Sequence, residues 1–292
     1  MNHEPDPAEG FEPDHAVETV ARWFDESDHI LITAGAGLTA AAGYDYGDEK
    51  RFKELFPALH ALGLRSRYMV GVPLPAPLLW GYWAVHIHDI RLSTAPNPLY
   101  RKLHAAAETK NHSVMTSNVD ALFARNGFEP DKVFTPQGDY GLYQCSTPCT
   151  RETWDTGPLV DRLLAAYDPE TGAITDPDAL PTCPNCGGGV QINVRIGREF
   201  VDDPYIAAGQ SLNRWLAQLP ADARLLVLEF GAGFNTPGVI RIPGEHIVRR
   251  IPGSRLARVN PVHADVPAAL GDRAIRVRAE ADRMIEALGQ PG

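Results

Sequence analysis

The chain alternates short apolar runs with amphipathic or glycine-rich stretches. Residues 14–26 place Val17, Val20, Ala21 and Phe24 on one helical face. HILIT (29–33) then reads as a buried strand and leads at once into AGAGLTAAAG. HSVMTS (112–117) is a second such run, followed by the helix-like VDALFARNG, and KVFT (132–135) is a third. RLLVLEF (224–230) runs into the Gly-rich turn GAGF, and SRLARVN (254–260) and RAIRVR (273–278) complete the set. The closing AEADRMIEAL is an amphipathic helix. Apolar strands alternating with helices predict an α/β fold, a Rossmann-like doubly wound parallel sheet.

Two stretches break the alternation. Residues 44–105 have a Pro-rich centre, VPLPAPLLW, and aromatics at Trp80, Tyr82 and Trp83. Residues 141–205 hold all 4 cysteines. Together they predict an inserted small lobe, helical and zinc-binding. The expected organisation is one domain over 14–292, with a Rossmann lobe at about 14–43, 106–140 and 206–292 and a small lobe at about 44–105 and 141–205. The acidic, Pro-rich start, residues 1–13, reads as a flexible tail, because no basic segment precedes an apolar one as in a signal peptide.

Net charge is −10, which repels phosphate backbones and argues against nucleic acid as a partner. No run of 18 apolar residues offers a membrane span. The expected compartment is the cytoplasm, where four cysteines favour a metal site over disulfides.

Five constellations carry chemistry. Gly35, Gly37 and Ala40 fit G-x-G-x-x-A on a strand-to-helix turn, either a dinucleotide phosphate cradle or a tight turn with no ligand. The acidic ribose partner of a dehydrogenase, about 20 residues on, would fall at Glu49 or Glu54; neither ends a strand, so a dehydrogenase is disfavoured. Cys145-x-x-x-Cys149 and Cys183-x-x-Cys186 suit tetrahedral zinc, the alternative being four unrelated thiols. In TSNVD, Asn118 and Asp120 emerge just past a strand end, where open α/β sheets bind ligands, or else they cap the next helix. Asn235 and Thr236 in FGAGFNTPG, and Asn260 in RVNP, bring further polar groups to the same sheet edge.

This ordered set resembles the sirtuin family. Gly35-Ala36-Gly37-Leu38-Thr39 looks like its Gly-Ala-Gly-hydrophobic-Ser motif, and Thr116-Ser117-Asn118-Val119-Asp120 like its Thr-Gln-Asn-Ile-Asp motif. CPNCGG matches the zinc pair, Gly231-Ala232-Gly233 with Asn235 stands at the Gly-Thr-Ser position, and Asn260 stands at the adenosine-ribose Asn. The resemblance implies NAD as substrate, held by Gly35, Ala36, Gly37, Thr39, Ser117, Asn118, Asp120, Gly231, Ala232, Gly233, Asn235 and Asn260, with structural zinc on Cys145, Cys149, Cys183 and Cys186.

Departures refine it. The family's Gly-Ile-Pro-Asp-Phe-Arg run appears as Gly43-Tyr44-Asp45-Tyr46-Gly47-Asp48, so Asp45 maps loosely as a cofactor contact. The catalytic His-Gly appears as Gln137-Gly138. Gln cannot act as the base that resolves an acyl intermediate, yet its amide can hydrogen-bond a ribose hydroxyl. Gln for His, with AAAGYDY after GAGLT, is similar to the macrodomain-linked class M sirtuins. That resemblance implies an NAD-dependent protein ADP-ribosyltransferase with Asn118, Asp120 and Gln137 catalytic. It also implies a lipoylated, glycine-cleavage H-like carrier protein as acceptor and a macrodomain hydrolase as partner. Asn193 and Arg195 fit the subgroup's pattern as contacts to target or cofactor, or form an ordinary strand. The rival expectations are a weak deacylase or NAD glycohydrolase, and a non-catalytic NAD- or ADP-ribose-binding module.

Overall fold

The computed structural model describes residues 13–92 and 95–288. The tail expected at the N-terminus lies, up to residue 12, outside the described residues. α1 (Pro13–Glu26) buries the expected stripe, with Val17, Val20 and Phe24 in the core. β1 (His29–Ala34) leads into α2 (Ala36–Ala41), α3 (Glu49–Leu55) and α4 (Pro57–Ala61). The Pro-rich centre is a loop only over residues 72–75. Pro75 and Pro77 open α5 (Ala76–Ile87), where missing N–H groups cost nothing, and this helix is apolar on all sides and mostly buried.

α6 (Pro98–Ala107) starts at Asn97, whose side chain accepts from the N–H groups of Leu99 and Tyr100. β2 (Asn111–Thr116) follows, then α7 (Leu122–Arg125), β3 (Val133–Phe134), β4 (Gly138–Cys145) and β5 (Trp154–Asp155). α8 (Thr156–Ala165), β6 (Tyr167–Asp168), β7 (Ala173–Ile174) and β8 (Val190–Val194) complete the inserted region. The chain closes with α9 (Asp203–Ala217), β9 (Leu225–Phe230), α10 (Arg241–Arg250), β10 (Arg255–Val259), β11 (Ala274–Val277) and α11 (Ala281–Ala287).

Six parallel strands form the main sheet in the order β11-β10-β9-β1-β2-β3. Its side chains alternate between two cores. Ile30, Ile32, Leu226 and Leu228 pack under α1, α6 and α11, while Leu31, Leu225 and Val227 pack under α9 and α10. Coverage on both faces explains why these strands read as continuous apolar runs.

The small lobe joins α3, α4, α5 and α8 to an antiparallel sheet, β5-β4-β8, around Phe52, Trp83, Leu159 and Ile192. Its limits differ from the expected ones at two places. α6 packs Leu99, Tyr100 and Leu103 into the Rossmann-side core, because those residues form its apolar face. β4 begins at Gly138, inside the range expected for the Rossmann lobe. The helix expected after Asn118 shrinks to the four residues of α7, because Ala121 takes a left-handed φ of 58°. Among the described residues, no helix is long and apolar enough to cross a membrane.

The four cysteines converge from the end of β4 and the loop before β8. Their sulfurs lie within 4.8 Å of one another, with Cys145 and Cys186 3.8 Å apart and Cys149 and Cys183 3.6 Å apart. Four sulfurs about 2.3 Å from one tetrahedral zinc are separated by roughly 3.8 Å, so the tetrad fits that ion. Metal analysis of the purified protein should therefore find one zinc per chain. Cys183→Ser should lose it and lower the melting temperature by several degrees, since binding and folding of such a site are coupled. A metal-free, equally stable Cys183→Ser protein would contradict this.

Candidate active site

Strand order reverses between β1 and β9, and the turns that leave these two strands meet there. This is the switch point at which open α/β sheets bind ligands. Gly35 N–H donates to Phe230 O at 2.9 Å and Gly37 N–H to Gly231 O at 3.0 Å. A Cβ on Gly37 would stand 2.6 Å from Gly231 Cα, and one on Gly35 2.7 Å from Ala232 Cα. The glycines thus serve first to let one turn lie on the other; a ligand's approach is a second use.

Two adjoining cavities open over these turns. The first, about 420 Å³, is lined by Ala36, Thr39, Ser117, Asn118, Asp120 and Gln137, with Tyr46, Arg67 and Tyr140 from the small-lobe side. The second, about 340 Å³, holds Gly35, Gly37, Gly231, Ala232, Gly233 and Asn260. Ala36, Ser117, Asn235 and Thr236 line both, so the two form one elongated site between the lobes.

The TSNVD segment is tied to β1. Thr116 Oγ1 donates to Ala34 O at 3.0 Å and accepts from Asn118 N–H at 3.0 Å. Asn118 Nδ2 donates to Gly35 O at 3.0 Å, which leaves the side-chain carbonyl as its available acceptor. Asp120 is buried; its carboxylate accepts from Thr39 Oγ1 at 2.7 Å and from Leu122 N–H at 2.9 Å. Neither Asn118 nor Asp120 is the cap of α7, which is Ala121; Asp120, one position earlier, takes the Leu122 N–H in a local turn and lines the cavity. Burial pushes the Asp120 carboxyl above its usual range, against the two hydrogen bonds.

Gln137 is held through its backbone: Arg195 N–H donates to Gln137 O at 2.9 Å, and Arg195 Nε to Pro136 O at 3.0 Å. The Gln137 Oε1 atom is buried and has no partner in the protein. Arg195 lines the cavity with it. Asn193 does not: it is fully buried, its amide nitrogen bound to Gln144 Oε1 and Val201 O and its oxygen to Tyr205 Oη, so it ties β8 to α9. Asp45 is exposed, accepts from Gly47 N–H at 2.7 Å and lines neither cavity.

Asn260 shapes the second cavity from behind. Its side chain accepts from Val262 N–H and His263 N–H and donates to Ala232 O. Sequence reasoning missed Arg241, which braces the same turns by donating to Ala232 O at 2.9 Å, His263 O at 2.8 Å and Asp265 O at 3.0 Å. It also missed Tyr46 and Tyr140, which stand beside the matched Asp45 and Gln137-Gly138 without being singled out, and Arg67, whose segment shows no motif and no periodicity.

The buried Asp120 carboxylate sets a pH dependence. A carboxyl raised in the folded state gives its stabilising contribution below the unfolded pKa of about 3.9 and loses it as pH rises through the higher folded value. Asp120→Asn carries no such charge. The melting temperature of Asp120→Asn relative to wild type should therefore climb between pH 4 and pH 7, by a few degrees. A difference that stays flat over this range would contradict the burial argument.

No family model matches the chain. Over 255 residues, 85% of its length, it is 34% identical to a Fusarium oxysporum f. sp. cubense protein named probable bifunctional ADP-ribose hydrolase/ADP-ribosyltransferase, of which it spans 42%. It is 28% identical over 279 residues to a Staphylococcus aureus protein ADP-ribosyltransferase, covering 92% of this chain and 85% of that one. A crystal structure of a Sir2 homologue with NAD superposes with a TM-score of 0.57 at 18% identity, over 93% of this chain and 92% of the other. Identity that low speaks for architecture alone. With the zinc-type cysteine tetrad on a lobe inserted into a six-stranded parallel sheet, the chain is a sirtuin in fold.

Proposed function

We propose that this protein transfers ADP-ribose from NAD to an acceptor protein and releases nicotinamide. The observation that carries this reading is Gln137. It lines the cavity beside Asn118, its Oε1 is buried without a partner, and its side chain cannot titrate. The glycine turns take the pyrophosphate, Asn235 and Asn260 the adenosine half, and Asn118 and Asp120 the nicotinamide end. Gln137 Oε1 accepts a hydrogen bond from a ribose hydroxyl and orients the sugar. The acceptor's nucleophile forms a bond to the anomeric carbon while the carbon–nitrogen bond breaks, and the electron pair of that bond leaves with nicotinamide. With an acceptor nucleophile that is already ionised, no proton need be taken from it or from the ribose, so a base is dispensable. A deacylase needs one, typically for about 10²- to 10⁴-fold in rate.

The names of the two relatives support transfer, and the fungal name, which pairs ADP-ribose hydrolase with transferase, supports an ADP-ribose hydrolase as partner; that this hydrolase is a macrodomain rests on the motif resemblance. The motif resemblance supports a lipoylated, glycine-cleavage H-like carrier as acceptor. An apolar cavity of about 550 Å³ that shares Gln137 and Arg195 with the first leaves room for an extended acceptor arm. The tetrad holds zinc as a structural ion.

The test gives wild-type protein NAD with a lipoylated carrier and, separately, with an acetyl-lysine peptide. Mass spectrometry should find one ADP-ribose added to the carrier and little deacetylated peptide. Deacetylation at a rate matching transfer would refute the reading, and NAD binding with no nicotinamide release would make the chain a binding module. Gln137→Ala should slow transfer about 3- to 10-fold, the worth of one neutral hydrogen bond, without moving the pH profile. A changed pH profile in Gln137→Ala would contradict this role, because removing an amide takes no titrating group from the site.

A further inference from the structure

Arg67 is 2% exposed, an unusual place for a guanidinium. It is held on several sides. Nε donates to His86 Nδ1 at 3.0 Å, Nη1 pairs with Asp89 Oδ2 at 2.9 Å, and the guanidinium lies 5.4 Å from the centre of the Tyr46 ring. Its backbone is tied to Tyr46 O and to the Tyr82 hydroxyl. Burial, and then the Arg67 charge, hold His86 well below the usual imidazole range. The neutral ring presents a bare Nδ1 to Arg67 and carries its proton on Nε2. The Arg67 Nη2 group finds no acceptor in the protein; the His86 Nε2 N–H also finds none, but it does not line the cavity. A buried N–H left unpaired is costly, and one that borders a cavity points to a ligand.

Arg67 lines the first cavity, with Asn118, Val119 and Asp120. It does not line the second, which holds the glycine turns. The first cavity therefore contains two residues with orphaned atoms of opposite kind: a donor, Arg67 Nη2, and an acceptor, Gln137 Oε1. The nicotinamide riboside half of NAD matches both, with a hydroxyl to donate and a carboxamide oxygen to accept. We propose that Arg67 Nη2 binds the carboxamide oxygen of the nicotinamide ring and so selects and assists the leaving group. This rests on the NAD reading above. The pyrophosphate also offers oxygens, but it belongs over the glycine turns, in the cavity that Arg67 does not reach.

The contact strengthens as the reaction proceeds. When the bond between the anomeric carbon and the ring nitrogen breaks, its electron pair stays on the ring, which passes from cation to neutral. The carboxamide oxygen becomes a better acceptor, and the repulsion between ring and guanidinium disappears. A donor already held by His86 and Asp89 gives this gain without reorganising, which favours the transition state over bound substrate.

The test compares wild type with Arg67→Lys, which keeps a cation for Asp89 and removes Nη2. Both receive NAD, its thionicotinamide analogue, whose sulfur is a weak acceptor, and its acetylpyridine analogue, which keeps the oxygen and lacks the amide nitrogen. Wild type should prefer NAD over the thio analogue by about 10-fold or more in kcat/KM, the loss expected for a hydrogen bond from a charged donor, and treat the acetylpyridine analogue within a few-fold of NAD. In Arg67→Lys the oxygen-to-sulfur ratio should fall close to one. The ratio is taken within each protein, so lower stability of the variant does not imitate the effect. An indifferent wild type, or the same ratio in both proteins, overturns the proposal. Should Arg67→Lys fail to fold, a crystal structure of wild type with NAD decides: Nη2 within about 3.2 Å of the carboxamide oxygen supports it, and Nη2 on a phosphate or in solvent overturns it. Calorimetry separates the two levels, since a protein that binds none of the three dinucleotides overturns the NAD reading itself.

Discussion

The site depends on one close approach. The turn after β1 and the turn after β9 touch backbone to backbone, with no room for a Cβ on Gly37 or Gly231. That contact brings together strand ends separated by most of the chain. Asn118 then hangs from Gly35 O, and Asn260 and Arg241 hang from Ala232 O, so groups from two loops and from the start of α10 take their positions from two turns. A larger side chain at Gly37 would displace the cavity floor along with the turn. Ligand approach and fold assembly place the same demand on these positions.

Charge buried beneath the site serves the same end. Arg258 is 1% exposed and is shared among Glu229, at 2.6 Å and 3.1 Å, Glu245 at 3.0 Å and the carbonyl of Asp265. Such pairs rarely add net stability over an apolar core of the same shape, but removing one partner is severe. Here the two arginines, Arg241 and Arg258, both end on the carbonyl of Asp265 and so fix the loop after β10 to the sheet. Rigidity behind the second cavity is obtained from ions rather than from packing.

The Rossmann side was legible in sequence because its strands are covered on both faces. Apolar runs such as HILIT and RLLVLEF have no other home, and the Gly-rich turns that follow mark strand ends. The small lobe was not. β4 carries a buried Gln144, two glycines and an irregular register, so no alternation survives to announce it. α5 is apolar on every side, which gives no 3.6-residue stripe, and its prolines look like loop punctuation until they are seen at the first turn. Among the candidate residues, those in ordered motifs came to the site, whereas Asp45 and Asn193, placed by loose matching, did not. Arg67 had no signal at all, because its partners His86 and Asp89 lie about twenty positions away, in α5 and just past its end, in a helix that could not be registered beforehand.

The backbone at residue 137 is held by bonds that ignore its side chain. Arg195 N–H takes its carbonyl, Arg195 Nε takes the carbonyl before it, and Gly138, at a φ of 106°, turns the chain into β4 against Asn193. Position 137 is therefore a socket whose location is decided by its neighbours and whose occupant is decided by nothing structural. A lineage can exchange the occupant in one step, from a titrating ring to an amide or back, and keep the same fold. On the reading proposed above, that one exchange removes or restores a base, which would make the type of chemistry among the easiest properties of the molecule for evolution to change.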